Sequence, residues 1–165
     1  MIDWIINLQL PPELLTFLIA LLPISELRGA IPIGLGVFNM SVVSAFLFAW
    51  LGSIVPAFIL VFGLGFISVT LSKYSKLFKR FFDWWFERTH KRFWQHHQNL
   101  GSLALVIFVA IPLPVTGVWT GSVAAFLFGV KKPKAVLLIS LGSLIAGVVV
   151  TLIYLGVLSF FKFLI

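Results

Sequence analysis

Cysteine is absent from this 165-residue sequence, and charged residues make up only 10% of it. Without cysteine the chain has neither a disulfide framework nor a thiolate metal site. The scarcity of charge accompanies a hydrophobic fraction of 61% and a mean hydropathy of +1.13. An ordinary soluble domain is about half apolar and about a quarter charged. The composition therefore indicates an integral membrane protein.

Lysine and arginine are missing from residues 1–22, so the chain begins without the positively charged region of a cleaved signal peptide. We expect this stretch to belong to the folded protein. Four apolar blocks follow, at 14–38, 41–72, 100–130 and 135–161. The second and fourth are long enough to cross a hydrocarbon core of about 30 Å, which needs about 20 helical residues. We predict that both are transmembrane helices in an all-α protein.

The blocks 14–38 and 100–130 are interrupted near their middles by proline, glycine and small polar residues. Proline removes a backbone donor and fits poorly inside a helix, so each block reads as two short helices joined by a turn. Irregular backbone at membrane depth is tolerated only when protein encloses it or it lines a wet cavity. We therefore predict two re-entrant hairpins. The predicted turn residues are Pro23, Gly29, Pro32, Pro112, Pro114, Gly117 and Gly121.

The two halves of the chain resemble each other. Leu51-Gly52-Ser53-Ile54 corresponds to Leu141-Gly142-Ser143-Leu144 at an offset of 90 residues, and each half is an interrupted block followed by a long one. We predict a single membrane domain over 1–165, with a first repeat (1–72), a linker (73–99) and a second repeat (100–165). Interrupted segments at corresponding positions of two repeats point to a transporter site between them.

The basic residues determine the predicted orientation. The net charge is +7, and ten of the twelve lysines and arginines lie within 73–92 and 131–134, beside apolar blocks. This is the positive-inside pattern and not a groove-binding stripe, so we expect no nucleic-acid partner. With both clusters in the cytoplasm, the first hairpin enters the membrane from outside and the second from the cytoplasm. The two repeats are therefore predicted to be inverted.

The linker 73–99 is basic and carries aromatic residues at helical spacing. It is predicted to form an amphipathic helix at the membrane interface, with its bases toward anionic lipid headgroups. Anchoring to membrane lipids is the expected role, and gathering of substrate is the alternative. His90, His96 and His97 all lie here, but with no cysteine and few carboxylates nearby we expect no metal site.

Glu26 and Arg28 are the only charges between Leu14 and Ser72, and they fall in the first predicted tip. An ionisable side chain inside a membrane costs several kcal/mol and is by default a functional-site hypothesis. Arg28 fits a bidentate carboxylate or phosphate binder. Glu26 fits a proton-exchanging group, since burial disfavours the charged form of a carboxyl. The alternative is a buried ion pair that only fixes the hairpin.

The second predicted tip carries no charge but offers hydrogen-bonding groups. The hydroxyls of Thr116 and Thr120 can donate or accept, and the indole N–H of Trp119 can donate. With Ser25 of the first tip, these residues are the predicted partners of Arg28 in binding substrate. Glycines beside them permit close backbone approach. The alternative is that these residues only satisfy and pack a broken helix.

Enzyme chemistry finds no support in the sequence. No histidine lies in an apolar block to serve as the base of an intramembrane serine hydrolase, and Glu26 is the sole acid within these blocks apart from Glu13 at their margin. Gly34-Leu35-Gly36 and Gly63-Leu64-Gly65 do not continue into a phosphate-binding fingerprint. We expect no enzyme and no cofactor.

The segments 23–32 and 112–121 resemble the paired motifs of the small multi-drug export protein family. That family is in turn similar to the DedA proteins of the bacterial inner membrane. The DedA resemblance implies two re-entrant hairpins and movement of polyprenyl-phosphate or other lipids, linked to the proton-motive force. DedA proteins also place arginines in or near the second hairpin, whereas this chain has none between Gly101 and Val130.

Together these observations predict a multi-pass transporter or lipid translocase of the bacterial inner membrane. Its substrate is expected to be a small, anionic amphiphile that is lipid-linked or carries a phosphate, bound by Arg28, with Glu26 exchanging a proton. One alternative is a proton-coupled exporter of cationic drugs at Glu26, and another is a membrane scaffold that transports nothing. Two spanning helices alone can hardly shield two hairpins from lipid, so a homo-oligomer is expected.

Overall fold

The computed structural model describes residues 10–74, 98–112 and 116–164, and places side chains within 10–66, 101–112 and 116–157. This part of the chain forms helices and no strands. The predicted interfacial helix at 73–99 lies almost wholly outside the described residues, so it stays a prediction. The helices in order are α1 (Pro12–Leu21), α2 (Glu26–Gly36), α3 (Val42–Tyr74), α4 (Gln98–Ala110), α5 (Val118–Leu127) and α6 (Lys132–Leu164).

The first interrupted block is two short helices, α1 and α2, as predicted from its prolines. Helix α1 ends where Leu22 is extended (φ −73°, ψ 136°), the conformation that a following proline enforces. The Ser25 hydroxyl then donates to the Ile19 carbonyl at 2.6 Å and closes the turn. The turn is shorter than predicted.

Gly29 and Pro32 were predicted to form that turn, but they lie inside α2. The helix starts already at Glu26, because the backbone N–H of Glu26 bonds back to Leu22 at 2.9 Å and that of Gly29 to Ser25 at 2.7 Å. Proline is tolerated six residues into the helix at the loss of one backbone bond.

The second interrupted block is also two short helices, α4 and α5. Its turn holds Pro112 and Gly117, as predicted, while Pro114 lies outside the described residues. Gly121, predicted in the turn, is inside α5. A Cβ at Gly121 would lie 2.5 Å from Val109 Cγ2, so this glycine is needed for the close approach of α5 to α4.

The two long helices, α3 and α6, cross in opposite directions. Near the middle of the crossing, Ser53 Oγ and Ser143 Oγ are hydrogen-bonded at 2.7 Å. Further along α3, the Phe62 ring lies 5.6 Å from Nζ of Lys132, which is the first residue of α6. Contacts that advance along one helix therefore move back along the other, so α3 and α6 are antiparallel.

Each long helix packs against the first short helix of its own half in the same way. A Cβ at Gly52 of α3 would collide with the backbone carbonyl of Phe17 in α1. A Cβ at Gly142 of α6 would lie 2.8 Å from the carbonyl oxygen of Val106 in α4. The two glycines are the equivalent residues of the repeated Leu-Gly-Ser sequence, so the sequence repeat corresponds to a repeated packing contact. Whether the repeats are inverted across a membrane, and whether the hairpins are re-entrant, stay predictions.

Large apolar side chains cover the outer faces of α3 and α6. Ile59 is 65% exposed and Leu152 is 63% exposed, and Phe58, Phe66 and Leu137 are each more than half exposed. Such continuous apolar surface is unfavourable in water and suits contact with lipid. The stretches Val42–Phe66 and Lys132–Val157 are long and apolar enough to span a membrane. The fold is thus that of a membrane protein.

Candidate functional site

The tips of the two helical hairpins meet. Arg28 at the start of α2 donates through Nη2 to the Ile111 carbonyl at 3.3 Å and to Thr116 Oγ1 at 3.5 Å. Glu26 accepts the backbone N–H of Trp119 at 3.4 Å. These bonds exceed about 3.2 Å, the upper end of the usual N–H···O range. The two tips are thus joined by long hydrogen bonds that involve Arg28 and Glu26.

Glu26 acts on the N-terminal end of α5. Trp119 is the second residue of that helix, so its N–H is among the four that have no partner within the helix. A carboxylate there also faces the positive end of the helix dipole. Thr120 of α5 accepts the N–H of the N-cap residue Gly117 at 3.0 Å. Glu26 packs against the same glycine from the other hairpin, because a Cβ on Gly117 would collide with Glu26 Oε2. The first hairpin thus supplies the acid that the second one lacks.

The backbone of Glu26 has an unusual conformation. Its φ is +43°, in the left-handed region that costs a non-glycine residue on the order of 1–3 kcal/mol. Only 7% of its surface is exposed. This buried acid therefore lies at the N-terminus of α5 in a conformation that is costly for its backbone.

Arg28 acts on the opposite end of the same turn. The Ile111 carbonyl follows directly after α4, where carbonyls lack helical partners and cations are favoured by the dipole. Thr116 reinforces this end, since its hydroxyl donates to the same carbonyl at 2.8 Å. Glu26 therefore binds the N-terminus of α5, and Arg28 binds the C-terminal end of α4. This goes beyond the alternative of an ion pair that fixes only its own hairpin.

A cavity of about 590 Å³ lies between the tips, within the range of about 300–1,000 Å³ found for small-molecule sites. It brings together Glu26 and all the residues predicted to bind substrate. Its lining is Pro23, Ile24, Ser25, Glu26, Arg28, Pro112, Thr116, Trp119 and Thr120.

The polar groups of this cavity differ in what they can offer a ligand. The Ser25 hydroxyl is committed to Ile19, and the Thr120 hydroxyl accepts the Gly117 N–H at 3.0 Å. The indole Nε1 of Trp119 is buried and has no acceptor among the described residues. The guanidinium of Arg28 and the carboxylate of Glu26 lie in the same wall, so the cavity contains both a charged donor and a charged acceptor. A guanidinium can bind an electronegative or anionic group.

No group of three or more histidine, aspartate or glutamate side chains that could hold a metal occurs in the described part of the chain. His90, His96 and His97 fall outside it.

The pairing of the two long helices was missed from the sequence. Besides the Ser53–Ser143 bond, Trp50 Nε1 donates to the Ser140 carbonyl at 3.2 Å. Both contacts join residues 90 positions apart. The offset of the sequence repeat was therefore a usable signal, because residues on the axis that relates two halves contact their own counterparts.

Comparison with known families gives one match. Residues 26–149 match the family described as Putative small multi-drug export protein, a range that contains Glu26, Arg28, the second tip, all of α3 and about the first half of α6. Neither the curated proteins nor the solved structures contain a match to the chain. The similarity to DedA proteins stays a prediction. The family name describes a membrane export protein, which is a transporter role. With more than half of its length matched, the chain belongs to the small multi-drug export protein family.

Proposed function

We propose that the protein exports a small amphiphile across the bacterial inner membrane and binds its anionic group in the cavity between the hairpin tips. The observation that carries the proposal is the chemistry of this cavity. Arg28 and Trp119 both line it, and the guanidinium of Arg28 is a charged hydrogen-bond donor. A phosphate or carboxylate accepts such donors, and a guanidinium can bind it through two parallel bonds.

The contacts of Arg28 allow it to serve a ligand. Its bonds to Ile111 and Thr116 are 3.3 and 3.5 Å long, and the proposal is that Arg28 exchanges them for a charge-assisted bond of about 2.8 Å to the anion. Thr116 keeps its own bond to Ile111 after the exchange, so the end of α4 stays satisfied. Binding of an anion would therefore loosen the contact between the tips without leaving the carbonyl unpaired.

Glu26 is the proposed proton-exchanging group. The charged carboxylate of Glu26 accepts the Trp119 N–H. Protonation of Glu26 removes the attraction between its negative charge and the N-terminus of α5. Proton uptake would thus weaken the contact of Glu26 with Trp119, and anion binding would weaken the contact of Arg28 with Ile111. Coupling of the two events through one pair of tips is the proposed basis of proton-linked export.

The membrane arrangement belongs to the same proposal. Antiparallel packing of α3 and α6 and the repeated contacts of Gly52 and Gly142 support inverted repeats with re-entrant hairpins. The exposed apolar faces of the long helices support several copies packed side by side or surrounded by lipid. A multi-pass homo-oligomer is the proposed form.

The family name favours a second candidate, proton-coupled export of cationic compounds with Glu26 as the cation site. Arg28 lines the same cavity and would repel a cation there. The buried carboxylate is also occupied by the N-terminus of α5. A scaffold that transports nothing would need no cavity at the tips. The anionic substrate is therefore the leading candidate.

Export from proteoliposomes tests the proposal. The probes are a fluorescent alkyl phosphate and the matched alkyl quaternary ammonium, and the variants are Arg28→Gln and Arg28→Lys. Lys131→Gln is the control, because it removes the same charge at an exposed residue outside the cavity. We expect Arg28→Gln to abolish export of the phosphate, Arg28→Lys to retain a fraction of it, and the control to match wild type. Unchanged phosphate export in Arg28→Gln would overturn the proposal, and export of the ammonium probe instead would support the second candidate.

A further inference from the structure

A second cavity lies away from the tips, in the groove between α3 and α6. Its volume is about 530 Å³. Its walls are almost entirely apolar and face outward. The residues that line it are Trp50, Phe58, Phe62, Pro133, Val136, Leu137, Ser140, Leu141 and Leu144. None of them lines the cavity between the tips.

The groove has the length of one membrane leaflet. Trp50 and Phe62 mark its ends on α3, and twelve helical residues rise about 18 Å. Half of the hydrocarbon core is about 15 Å. A single acyl chain from one leaflet therefore matches the groove better than a chain that crosses the whole membrane.

One end of the groove is cationic. Lys132 is exposed at the start of α6, and its Nζ lies 5.6 Å from the centre of the Phe62 ring. The side chain of Lys132 lies over Gly65 of α3, because a Cβ on Gly65 would lie only 2.8 Å from Lys132 Nζ. The missing side chain of Gly65 thus makes room for the ammonium group between the two helices. Lys131 and Lys134 are exposed beside it.

The other end of the groove is closed by an anchored indole. Trp50 is fixed to the backbone of α6 by its bond to the Ser140 carbonyl at 3.2 Å. The counterpart of Lys132 in the first repeat, 90 residues earlier, is Val42, so the charge occurs at one end only. The groove therefore presents an apolar channel with a cation at its mouth, which matches the head and tail of a phospholipid.

We propose that this groove binds one anionic phospholipid, with its phosphate at Lys132 and an acyl chain between Trp50 and Phe62. Basic pockets between transmembrane helices bind anionic headgroups in this way. A second copy of the chain is a poorer occupant, because residues 27–82 and 88–165 contain no acid and its long helices would bring no partner for Lys132. The site is independent of the proposed export function.

Lipid retention by the purified protein tests the site. The protein is exchanged into detergent with an equimolar mixture of phosphatidylglycerol and phosphatidylcholine, and bound lipid is counted by native mass spectrometry. Wild type is expected to retain one phosphatidylglycerol per chain, preferred at least about tenfold over phosphatidylcholine, which corresponds to about 1.4 kcal/mol. Lys132→Gln should lose the preference.

Two tryptophan variants distinguish the effect of filling the groove from the effect of a bulky residue elsewhere on α6. Leu137→Trp fills the groove and should lose the bound lipid, whereas Leu152→Trp makes the same change at an exposed residue of α6 outside it and should retain it. Lys132 is exposed, so its variant keeps the test valid if Leu137→Trp does not fold. Equal retention of both lipids by wild type, or an unchanged preference in Lys132→Gln, would overturn the site. Conversion of a dimer to a monomer by Leu137→Trp, with lipid unaffected, would assign the groove to a second copy and also overturn it.

Discussion

Gly117→Ala is the smallest change that tests the contact between the tips. The Cβ that this substitution adds would collide with Glu26 Oε2 and lie 2.7 Å from Glu26 Cδ. The extended backbone of Gly117 (φ 173°) suits alanine, so no strain arises from the dihedral angle itself. The carboxylate must move, and the bond from the Trp119 N–H is lost with it.

The expected loss of stability is about 2 kcal/mol. Overpacking at a tight site costs about 1–3 kcal/mol, and loss of an acceptor at a helix N-terminus costs about 0.5–2 kcal/mol. These terms overlap, because one displacement of Glu26 causes both. The measurement is the free energy of unfolding in a fixed detergent or bicelle, by steric trapping.

Gly63→Ala is the matched control. Nothing lies within 4 Å of the Cβ that it would add inside α3, so removing a helical glycine should stabilise the protein by about 0.5–1 kcal/mol. The two substitutions are thus predicted to have opposite signs.

A double-mutant cycle with Glu26→Ala isolates the contact. Once the carboxylate is gone, Gly117→Ala should be nearly neutral, which gives a coupling energy of about 2 kcal/mol by the same overlap of terms. If Gly117→Ala destabilises the protein equally with and without Glu26, the loss has another cause and the assigned tip contact is wrong.

Three further predictions concern the scaffold of the site. Gly52→Ala and Gly142→Ala should each destabilise the protein by about 1–3 kcal/mol in the same unfolding assay, since each Cβ would press on the backbone of a neighbouring helix; a neutral result in either would argue against the repeated packing. Ser53→Ala and Ser143→Ala should couple by about 0.6 kcal/mol, typical of hydrogen bonds between membrane helices, and strict additivity would show that the bond does not form. Thr116→Val should destabilise the second tip by about 1 kcal/mol, because valine lacks the hydroxyl that donates to the Ile111 carbonyl at the end of α4. Thr116→Ser keeps that hydroxyl and should have the stability of the wild type. Equal loss of stability in both variants would assign the effect to packing.

The helices were predictable because their signals are local. Prolines and glycines near Pro23 and Pro112 predicted the breaks, and the two long apolar blocks predicted α3 and α6 to within a few residues at most ends. The positions of Gly29 and Gly121 inside helices were not predicted, because a glycine in a turn and a glycine at a close helix contact look alike in sequence.

The sequence singled out residues that line the cavity between the tips, but it did not give their hydrogen-bond partners. Charge inside an apolar stretch singled out Glu26 and Arg28, and both line the cavity. Their main contacts run to the other hairpin, more than 80 residues away. No local pattern encodes which backbone N–H or carbonyl such a side chain will reach, because that depends on how two distant turns meet in space.

Topology mapping with single cysteines tests most directly whether each hairpin enters and leaves the membrane on one face. The natural chain has no cysteine, so each introduced thiol reports alone. Cysteines at Leu10 and Asn39 flank the first hairpin, and those at Gln98 and Lys131 flank the second. A membrane-impermeant maleimide is expected to label the first pair from one face and the second pair from the other. Labelling of Leu10 and Asn39 from opposite faces would contradict the arrangement of the tips within the membrane.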